Sequence, residues 1–342
     1  MVLSFGVLDR GRFFLEVAMP TRSLLLISIL ILAPALPGTH RSPYDPGGAT
    51  DSNMTWTAVG RWDLEVEDPA GAYPSWLEIQ QAPDGNLTAR FVGRFGGAHP
   101  VQNLRVENGH IGFAVPPLRF EGALQDGGMN GETTNDAGDR VRWSAVRAPS
   151  LERRSAPRWG QPYSLISPDG LDGWRARGTG DARCWSVDQG VLSTTGPCTD
   201  LVTVRKFRDF KLDLEFMLPP GSDSGVHLRG RYEIQLKDDA GTLPEPLTGL
   251  TGGVYGFLKP LRVPSGKPGE WQSLHATLVG RTITVVLNGE TVIDEQEIPG
   301  ITGDALDSDE GLPGPIMLQG HLGAVSYRNI VITPAKSKVV QM

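Results

Sequence analysis

Short runs of alternating apolar and polar residues, separated by glycine, asparagine and aspartate, dominate the chain after residue 55. Examples are "RWDLEVED", "NLTARFVGRF" and "ITVVLNGETVID". A period of two is typical of strands that bury one face, and no long segment shows the 3.6-residue period of a helix. The 43 glycines and 27 prolines supply the many turns that such short strands need. The sequence therefore predicts an all-β protein.

The predicted strands fall into two groups. Residues 55–147 give about six to eight short strands, which predicts a small antiparallel barrel or sandwich. Its polar residues form no pattern that points to chemistry, so we expect an accessory domain. Residues 163–334 predict a larger two-sheet jelly roll. A proline- and arginine-bearing linker, residues 148–162, joins the two, and residues 335–342 form a tail.

The N-terminal segment has the pattern of an export signal. Arg22 precedes an apolar run at residues 24–32, which a small-residue site, Ala-Pro-Ala, follows. The run is shorter than the 20 or so residues that a membrane span needs. We expect residues 1–38 to be a cleaved signal peptide, with Met19 a possible true start and 39–54 a linker. The mature protein is then periplasmic or extracellular, without a membrane span.

Charge and cysteine content limit the partners. The formal net charge is −7, and no basic run interleaved with aromatic residues occurs, which argues against a nucleic-acid partner. Cys184 and Cys198 are the two cysteines. In an exported protein they either form one disulfide or stay free, and sequence spacing leaves both open. The sequence leaves the oligomeric state open as well.

The segment "VHLRGRYEIQL", residues 226–236, alternates strictly. Read as one strand, it places its apolar residues on one face and five polar residues on the other. Side chains on one face of a strand lie about 6.5–7 Å apart, so the row spans one or two sugar rings. We interpret it as the floor of a sugar-binding cleft. The row consists of His227, Arg229, Arg231, Glu233 and Gln235.

Four blocks of the second domain resemble a known family. They are "DSGVHLRGRYEIQLKDD", "GGVYGFLKP", "KPGEWQSL" and "LQGHLGAVSYRNIVITP". Together they are similar to the domain of unknown function 1080 family, described as 3-keto-disaccharide (3-keto-glycoside) hydrolases. The resemblance covers residues 163–334 and implies a concanavalin-like (LamG-like) jelly roll whose concave face binds sugar. It departs from the family pattern at Asp223, where asparagine is usual, and at Gly320, where aspartate is usual before the histidine.

The resemblance implies action on glycosides that a separate dehydrogenase has oxidised at C3. A ketone at C3 acidifies the proton on C2, so the aglycone can be eliminated from C1 and water added afterwards, or hydrolysis can be direct. The site then needs a base, a donor for the enolate oxygen and an acid, and no redox cofactor. Glu233 is the candidate base, with a pKa that the adjacent Arg231 is expected to lower. Arg229 and Arg231 are candidates to polarise the ketone, and His227 and His321 are acid/base candidates.

Other residues are candidates for substrate binding. Gln235, Tyr255, Lys267 and Gln319 carry donors or an aromatic ring suited to sugars. Each also has an ordinary structural interpretation, such as a core tyrosine or an ion-paired charge. Since a jelly roll does not specify activity, a non-catalytic carbohydrate-binding module is the alternative function. A conventional glycosidase is disfavoured, because no glutamate is followed two residues later by aspartate.

The stretch "GDALDSDEG" collects Asp304, Asp307, Asp309 and Glu310. Carboxylates this close can hold Ca²⁺, but their spacing is not that of an EF-hand loop. We expect a solvated acidic loop. A divalent metal is possible but has no local motif in the sequence.

Overall fold

A computed structural model describes residues 58–125, 127–135, 137–168, 170–239, 247–320 and 322–336. The predicted signal peptide, the linker that follows it, and His321 lie outside the described residues. The described residues form 22 strands and one 3-10 turn, Leu247–Gly249, so the all-β prediction is confirmed. No helix among them has the length and apolar character to cross a membrane.

Nine antiparallel strands form the first sheet. With the strands numbered along the chain, their order across the sheet is 4-3-2-1-9-8-7-6-5. The Val101 N–H donates to the Ala89 carbonyl oxygen at 3.0 Å, which brings the sheet's two ends together as a nearly closed barrel. The strands are β1 (Gly60–Val66), β2 (Tyr73–Gln81), β3 (Leu87–Val92), β4 (His99–Pro100), β5 (Gln102–Glu107), β6 (His110–Val115), β7 (Leu118–Gln125), β8 (Gly128–Thr134) and β9 (Arg140–Arg147).

Two further antiparallel sheets follow. The larger consists of β10 (Tyr163–Ser164), β12 (Trp185–Asp188), β13 (Val191–Thr194), β15 (Phe210–Met217), β18 (Gln272–Val279), β19 (Thr282–Leu287), β20 (Glu290–Glu297) and β22 (Val325–Pro334). The smaller, which we call the small sheet, consists of β11 (Trp174–Ala176), β14 (Leu201–Thr203), β16 (Asp223–Leu228), β17 (Tyr232–Lys237) and β21 (Met317–Leu318). Strand order in the small sheet is β11-β14-β21-β16-β17.

One apolar core lies between these two sheets, as the predicted jelly roll requires. Phe210, Leu212 and Leu214 of β15 share a buried cluster with Val226 of β16 and Ile234 of β17. Because side chains alternate along a strand, the neighbours of Val226 and Ile234 lie on the outer face of the small sheet. That outer face therefore carries the polar half of the "VHLRGRYEIQL" pattern.

A tight turn and a disulfide bond are two local features of the jelly roll. Asn288 (φ 50°) and Gly289 (φ 81°) make the tight turn between β19 and β20, as the Asn-Gly pair predicts. Cys184 and Cys198 are joined by a disulfide with their Cα atoms 6.0 Å apart. The bond links the residue before β12 to the segment that enters β14.

The first sheet packs against the jelly roll through the outer face of β1 and β2. Trp76 of β2 belongs to the jelly-roll core rather than to that of its own sheet. Its ring meets Phe257 edge-on, 5.1 Å between centroids, and the Arg90 guanidinium lies 5.8 Å from its centre. A side chain at Gly300 would overlap the indole ring. The contact is therefore close-packed, although the domain boundaries at 55–147 and 163–334 stay predictions.

We expect Gly300→Ala to destabilise the protein by about 1–3 kcal/mol, because the added methyl group has no space beside Trp76. Chemical denaturation monitored by tryptophan fluorescence measures the change. Gly196→Ala is the matched control, since a methyl group there meets nothing within 4 Å. Equal stability of the two variants would show that the contact is loosely packed.

Candidate active site

Residues 226–236 form a hairpin, not the single strand predicted. β16 ends at Leu228, and the chain reverses through Arg229 (φ 55°) and Gly230 (φ 67°) before β17 starts at Tyr232. Leu228 pairs with Tyr232 across the hairpin. These partners are four residues apart, an even number, so the apolar residues stay on the same face before and after the turn. The sequence therefore looks like one continuous strand.

The two arginines of the predicted row leave the polar face at this turn. Arg229 donates from Nη2 to the Tyr232 hydroxyl and to the Gly280 carbonyl oxygen, both at 2.8 Å. Arg231 donates from Nε to Asp307 Oδ1 at 2.6 Å. Both side chains are about 1% exposed. The interpretation of Arg229 and Arg231 as part of a cleft floor is therefore wrong, because they tie the turn to neighbouring loops.

The expected solvated acidic loop is wrong for Glu310 and Asp304, whereas Asp309 is exposed. Glu310 is fully buried, where its carboxylate accepts hydrogen bonds from Arg281 at 2.7 and 2.9 Å and from the Tyr232 hydroxyl at 2.5 Å. Asp307 is held by Arg231, and Asp304 forms an ion pair with Arg177. Buried carboxylates need such partners. Arginines distant in sequence supply them here.

Asp63 of β1 completes this buried network from the first sheet. It is 4% exposed and lies on the β1–β2 face that packs on the jelly roll. Burial and the nearby Glu310 carboxylate raise the pKa of Asp63 to about 9. Asp63 is therefore protonated at neutral pH, so the Asp63 and Glu310 carboxyl groups can be buried side by side without two negative charges.

His227 and Glu233 meet on the outer face of the small sheet. They are directly paired across the hairpin, with 3.8 Å between His227 Nε2 and Glu233 Oε1. His227 is fully buried and Glu233 is 4% exposed. On the other side of β17, the Tyr255 N–H donates to the Glu233 carbonyl oxygen at 3.0 Å. Tyr255 is half-buried and flanks Glu233 on the same face.

Small and amide residues shape this polar face. A side chain at Gly225 would overlap the Glu233 carboxylate, so glycine leaves the space that Glu233 occupies. Gln235 donates from Nε2 to Asp223 Oδ1 at 2.5 Å. The Gln319 N–H donates to the Gly225 carbonyl oxygen at 2.9 Å. The structure thus brings Gln235 and Gln319 to the face that carries Glu233.

Lys267, another predicted site residue, does not join this group. Lys267 is exposed in the loop before β18, where its backbone N–H donates to Glu270 at 3.2 Å. We call Glu233, His227, Gln235, Tyr255 and Gln319 the Glu233 group. Within the described residues, no hydrogen bond or ion pair connects Lys267 to it. His321 lies outside the described residues, so its place relative to this group stays a prediction.

Arg177, Asp200 and Asp304 form an ion-paired cluster whose two carboxylates act on Glu233, and the sequence analysis named only Asp304 of the three, as part of an acidic loop. Arg177 donates from Nη1 to Asp200 Oδ2 at 3.1 Å and to Asp304 Oδ1 at 2.6 Å. These residues come from the end of β11, the start of β14 and the loop after β20. No local motif connects them. Their distance in the chain explains why the sequence analysis did not group them.

The electrostatic environment of Glu233 is the reverse of the predicted one. Burial raises the pKa of Glu233 well above its ordinary value, and the charges of Asp304, Asp223 and Asp200 raise it further. The expectation that Arg231 lowers this pKa is wrong, because the hairpin turn directs Arg231 to Asp307. Burial and the same acidic surroundings also raise the pKa of Tyr255, so its hydroxyl stays protonated and can donate.

A loop of the first sheet lies beside this face. The Asp304 N–H donates to the Arg94 carbonyl oxygen at 2.8 Å. The backbones of Gly97 and Gly256 approach so closely that a side chain on Gly97 would lie 2.8 Å from the Gly256 Cα. The loop between β3 and β4 thus forms a wall next to Tyr255, and its Phe95 is 64% exposed.

Metal binding has no clear centre in the described residues. Those residues contain no group of three or more His, Cys, Asp or Glu side chains that could hold a metal ion. The expectation that no cofactor is required stays a prediction.

The polar face lies within a segment of the chain that matches a known family model. Residues 164–333 match the family model of the 3-keto-alpha-glucoside-1,2-lyase-like domain. The match supports a carbohydrate-active enzyme or binding module, and the Glu233 group lies inside the matched segment. We refer to residues 164–333 as the lyase-like domain.

Solved structures similar to the chain include two candidate glycosyl hydrolases from Parabacteroides distasonis. One is 25% identical and covers 58% of this chain and 98% of its own, with a TM-score of 0.44. The other is 21% identical and covers 51% and 94%, with a TM-score of 0.43. The carbohydrate binding module CBM66 from Bacillus subtilis is 14% identical and covers 46% and 93%, with a TM-score of 0.28. No curated protein sequence matches the chain.

We expect Glu233→Gln to increase stability at neutral and alkaline pH. The folded protein resists ionisation of Glu233, so stability is lost as pH rises from the unfolded pKa, about 4.3, towards the raised folded pKa. Glutamine does not ionise and avoids this loss, so the gain vanishes near pH 4. Thermal denaturation from about pH 4 to about pH 9 measures it.

Glu215→Gln is the control with the opposite sign. Hydrogen bonds from Asn329 and Arg328 lower the pKa of Glu215, so its replacement costs stability at neutral pH and not in acid. A neutral-pH loss of stability in Glu233→Gln would contradict the raised pKa of Glu233.

Proposed function

We propose that the chain cleaves glycosides whose C3 hydroxyl has been oxidised to a ketone. The observation that carries the proposal is a buried carboxyl group, Glu233, with a raised pKa, set among acidic neighbours inside the lyase-like domain. A perturbed carboxyl on a polar face is a candidate acid/base group. We further propose that the protein works outside the cytoplasm, in keeping with the signal-like N-terminal sequence.

The ketone determines which groups the protein must supply. A base removes the proton on C2, and the electron pair moves to form an enolate with the C3 oxygen. The enolate then expels the oxygen on C1, which leaves as the aglycone alcohol after it gains a proton. Water adds to C1 of the resulting enone, and C2 regains a proton. The sum is one glycoside and one water converted to a 3-keto sugar and an alcohol.

Glu233 suits both proton transfers in this sequence. A carboxylate with a raised pKa is a stronger base than an ordinary glutamate. After it takes the C2 proton, the same group is an acid that can give the proton to the leaving oxygen. His227 is fully buried and adjoins Glu233 at 3.8 Å, so its role is to position Glu233 or exchange protons with it, not to touch the sugar.

In this proposal Tyr255 stabilises the enolate oxygen. It lies beside Glu233 on the same face, and its raised pKa keeps the hydroxyl as a donor. Donors aimed at developing negative charge lower the barrier most where water is excluded. Arg177 is already engaged by Asp200 and Asp304, so it serves to hold those carboxylates near Glu233.

We expect the protein to release a chromogenic aglycone from a 3-keto-glucoside and not from the unoxidised parent, because only the ketone acidifies C2. Glu233→Gln should reduce the rate by about 10²–10⁴-fold, the contribution of a positioned acid/base. Continuous absorbance measurement, with and without EDTA, follows the reaction. Glu215→Gln, a surface variant with the same chemical change, should keep the rate.

The outcomes separate the two classes of function. Release from the keto compound that is lost only in Glu233→Gln supports the proposed chemistry. Binding of sugar without release from either compound would make this a carbohydrate-binding module. Equal release from both compounds would instead require a mechanism that does not use the ketone.

We expect Tyr255→Phe to lower kcat by about 10²–10³-fold, as for removal of one oxyanion donor, with KM little changed. Steady-state kinetics on the same 3-keto substrate measure both constants. A rise in KM at unchanged kcat would show that Tyr255 binds the sugar in the ground state and does not stabilise the enolate.

A further inference from the structure

A large cation-rich cavity lies outside the Glu233 group. It has a volume of 1180 Å³ and shares none of its 16 lining residues with that group. Seven of the 16 are arginine or lysine and one is acidic, on a chain whose formal net charge is −7. The seven are Arg153, Arg154, Arg158, Arg205, Lys206, Arg208 and Lys336.

Three distant segments build this cavity. The linker between the two domains passes along it, and the Lys336 N–H donates to the Arg158 carbonyl oxygen at 2.7 Å. The Gly160 N–H donates to the Pro334 carbonyl oxygen at 2.8 Å, so the linker is held against the end of β22. Arg205 and Lys206, just after β14, form the opposite side.

The acidic residue in the cavity does not neutralise the other cations. Asp209 accepts two hydrogen bonds from Arg153, at 2.7 and 3.0 Å, and one from the Gly280 N–H at 2.9 Å. Six positive charges therefore remain. Among the described residues, no carboxylate oxygen lies within 4.0 Å of the charged groups of Arg154, Arg158 or Lys206, and all three side chains are exposed.

Like charges gathered on one concave surface repel each other and concentrate counter-ions there. Guanidinium groups recognise carboxylate, sulfate and phosphate oxygens through paired hydrogen bonds. The cavity is larger than the 300–1000 Å³ or so of ordinary small-molecule pockets, and its cations come from separate segments. One small anion cannot reach them all, whereas a chain with repeated acidic groups can.

We propose that this cavity binds an anionic glycan, a sugar chain that bears carboxylate or sulfate groups. Anion binding follows from the cavity itself, and the choice of a glycan rests on the proposed function. The cavity's aromatic rings argue against single-stranded nucleic acid, whose bases stack on free aromatic faces. Arg205 covers Tyr163 at 4.6 Å, and Phe207 is buried.

The experiment measures binding directly, so that it does not depend on catalysis. Fluorescently labelled oligogalacturonate (carboxylated), sulfated dextran oligomers and neutral dextran oligomers are titrated with the full chain at low and high salt. We expect the two anionic oligomers to bind, the neutral one not to bind, and affinity to fall as salt rises. The carboxylated and sulfated probes distinguish the two sources of charge.

Variants then locate the binding site. The triple variant Arg154→Gln, Arg158→Gln, Lys206→Gln should weaken binding by about tenfold or more, because three charge-assisted contacts are lost. The triple variant Arg105→Gln, Arg119→Gln, Arg140→Gln removes the same charge from exposed strand positions of the first sheet and should bind as the wild type does. Glu233→Gln should also bind normally, which separates this site from the proposed active site.

Three results would overturn the proposal. They are the absence of binding to either anionic oligomer, equal weakening in both triple variants, and tighter binding to single-stranded DNA or to anionic lipid vesicles than to the oligomers. Loss of 3-keto activity with intact binding would count against the proposed function alone.

Discussion

The buried carboxylate of Glu310 connects two turns and a loop of the jelly roll. It accepts hydrogen bonds from Arg281 and from the Tyr232 hydroxyl, and Tyr232 in turn accepts one from Arg229. This network fixes the β16–β17 turn, the turn after β18 and the loop that follows β20. Breaking a buried ion pair is expensive, since the remaining charge stays without compensation. The loop is therefore held where Asp304 faces Glu233.

The same packing produces the chemistry of the polar face. A sheet face that carries carboxylates is ordinarily solvated, but here the Tyr255 segment, the Asp304 loop and the first sheet cover it. Covering the face raises the pKa of Glu233, which makes a stronger base at the expense of stability. Two contacts hold the first sheet here: Trp76 inserts into the jelly-roll core, and the loop after β3 lies against Gly256.

Charge is distributed unevenly between the two candidate sites. The Glu233 face gathers four carboxylates, of which Asp200 and Asp304 pair with Arg177 and Asp223 pairs with Lys237. This arrangement suits an uncharged sugar and a proton-transfer base. The cavity along the linker gathers cations with one engaged carboxylate. Opposite potentials at separate places allow the two surfaces to contact different parts of one glycan, or two different ligands.

Individual turns and residues show which structural features the sequence patterns could predict. Asn288-Gly289 predicted its hairpin correctly, because the turn depends on the backbone preferences of two adjacent residues. Arg229-Gly230 makes a similar reversal, yet the alternation on either side stays in phase and conceals it. His227 and Glu233 were predicted to share a face and do so, as near neighbours across that turn. Arg177 and Asp200 were missed, and Asp304 was expected only in a solvated loop, since the three residues meet only through the fold.

The sequence by itself determined the all-β class, the two groups of strands and the polar face of the hairpin, since these follow from local alternation and turn residues. The tertiary structure decided which charges meet. It removed Arg229 and Arg231 from the face, buried Glu310 of an acidic loop expected in water, and gathered cations from separate segments of the chain into one cavity. Electrostatic effects depend on distance in space and on burial, and neither can be read from positions along the chain.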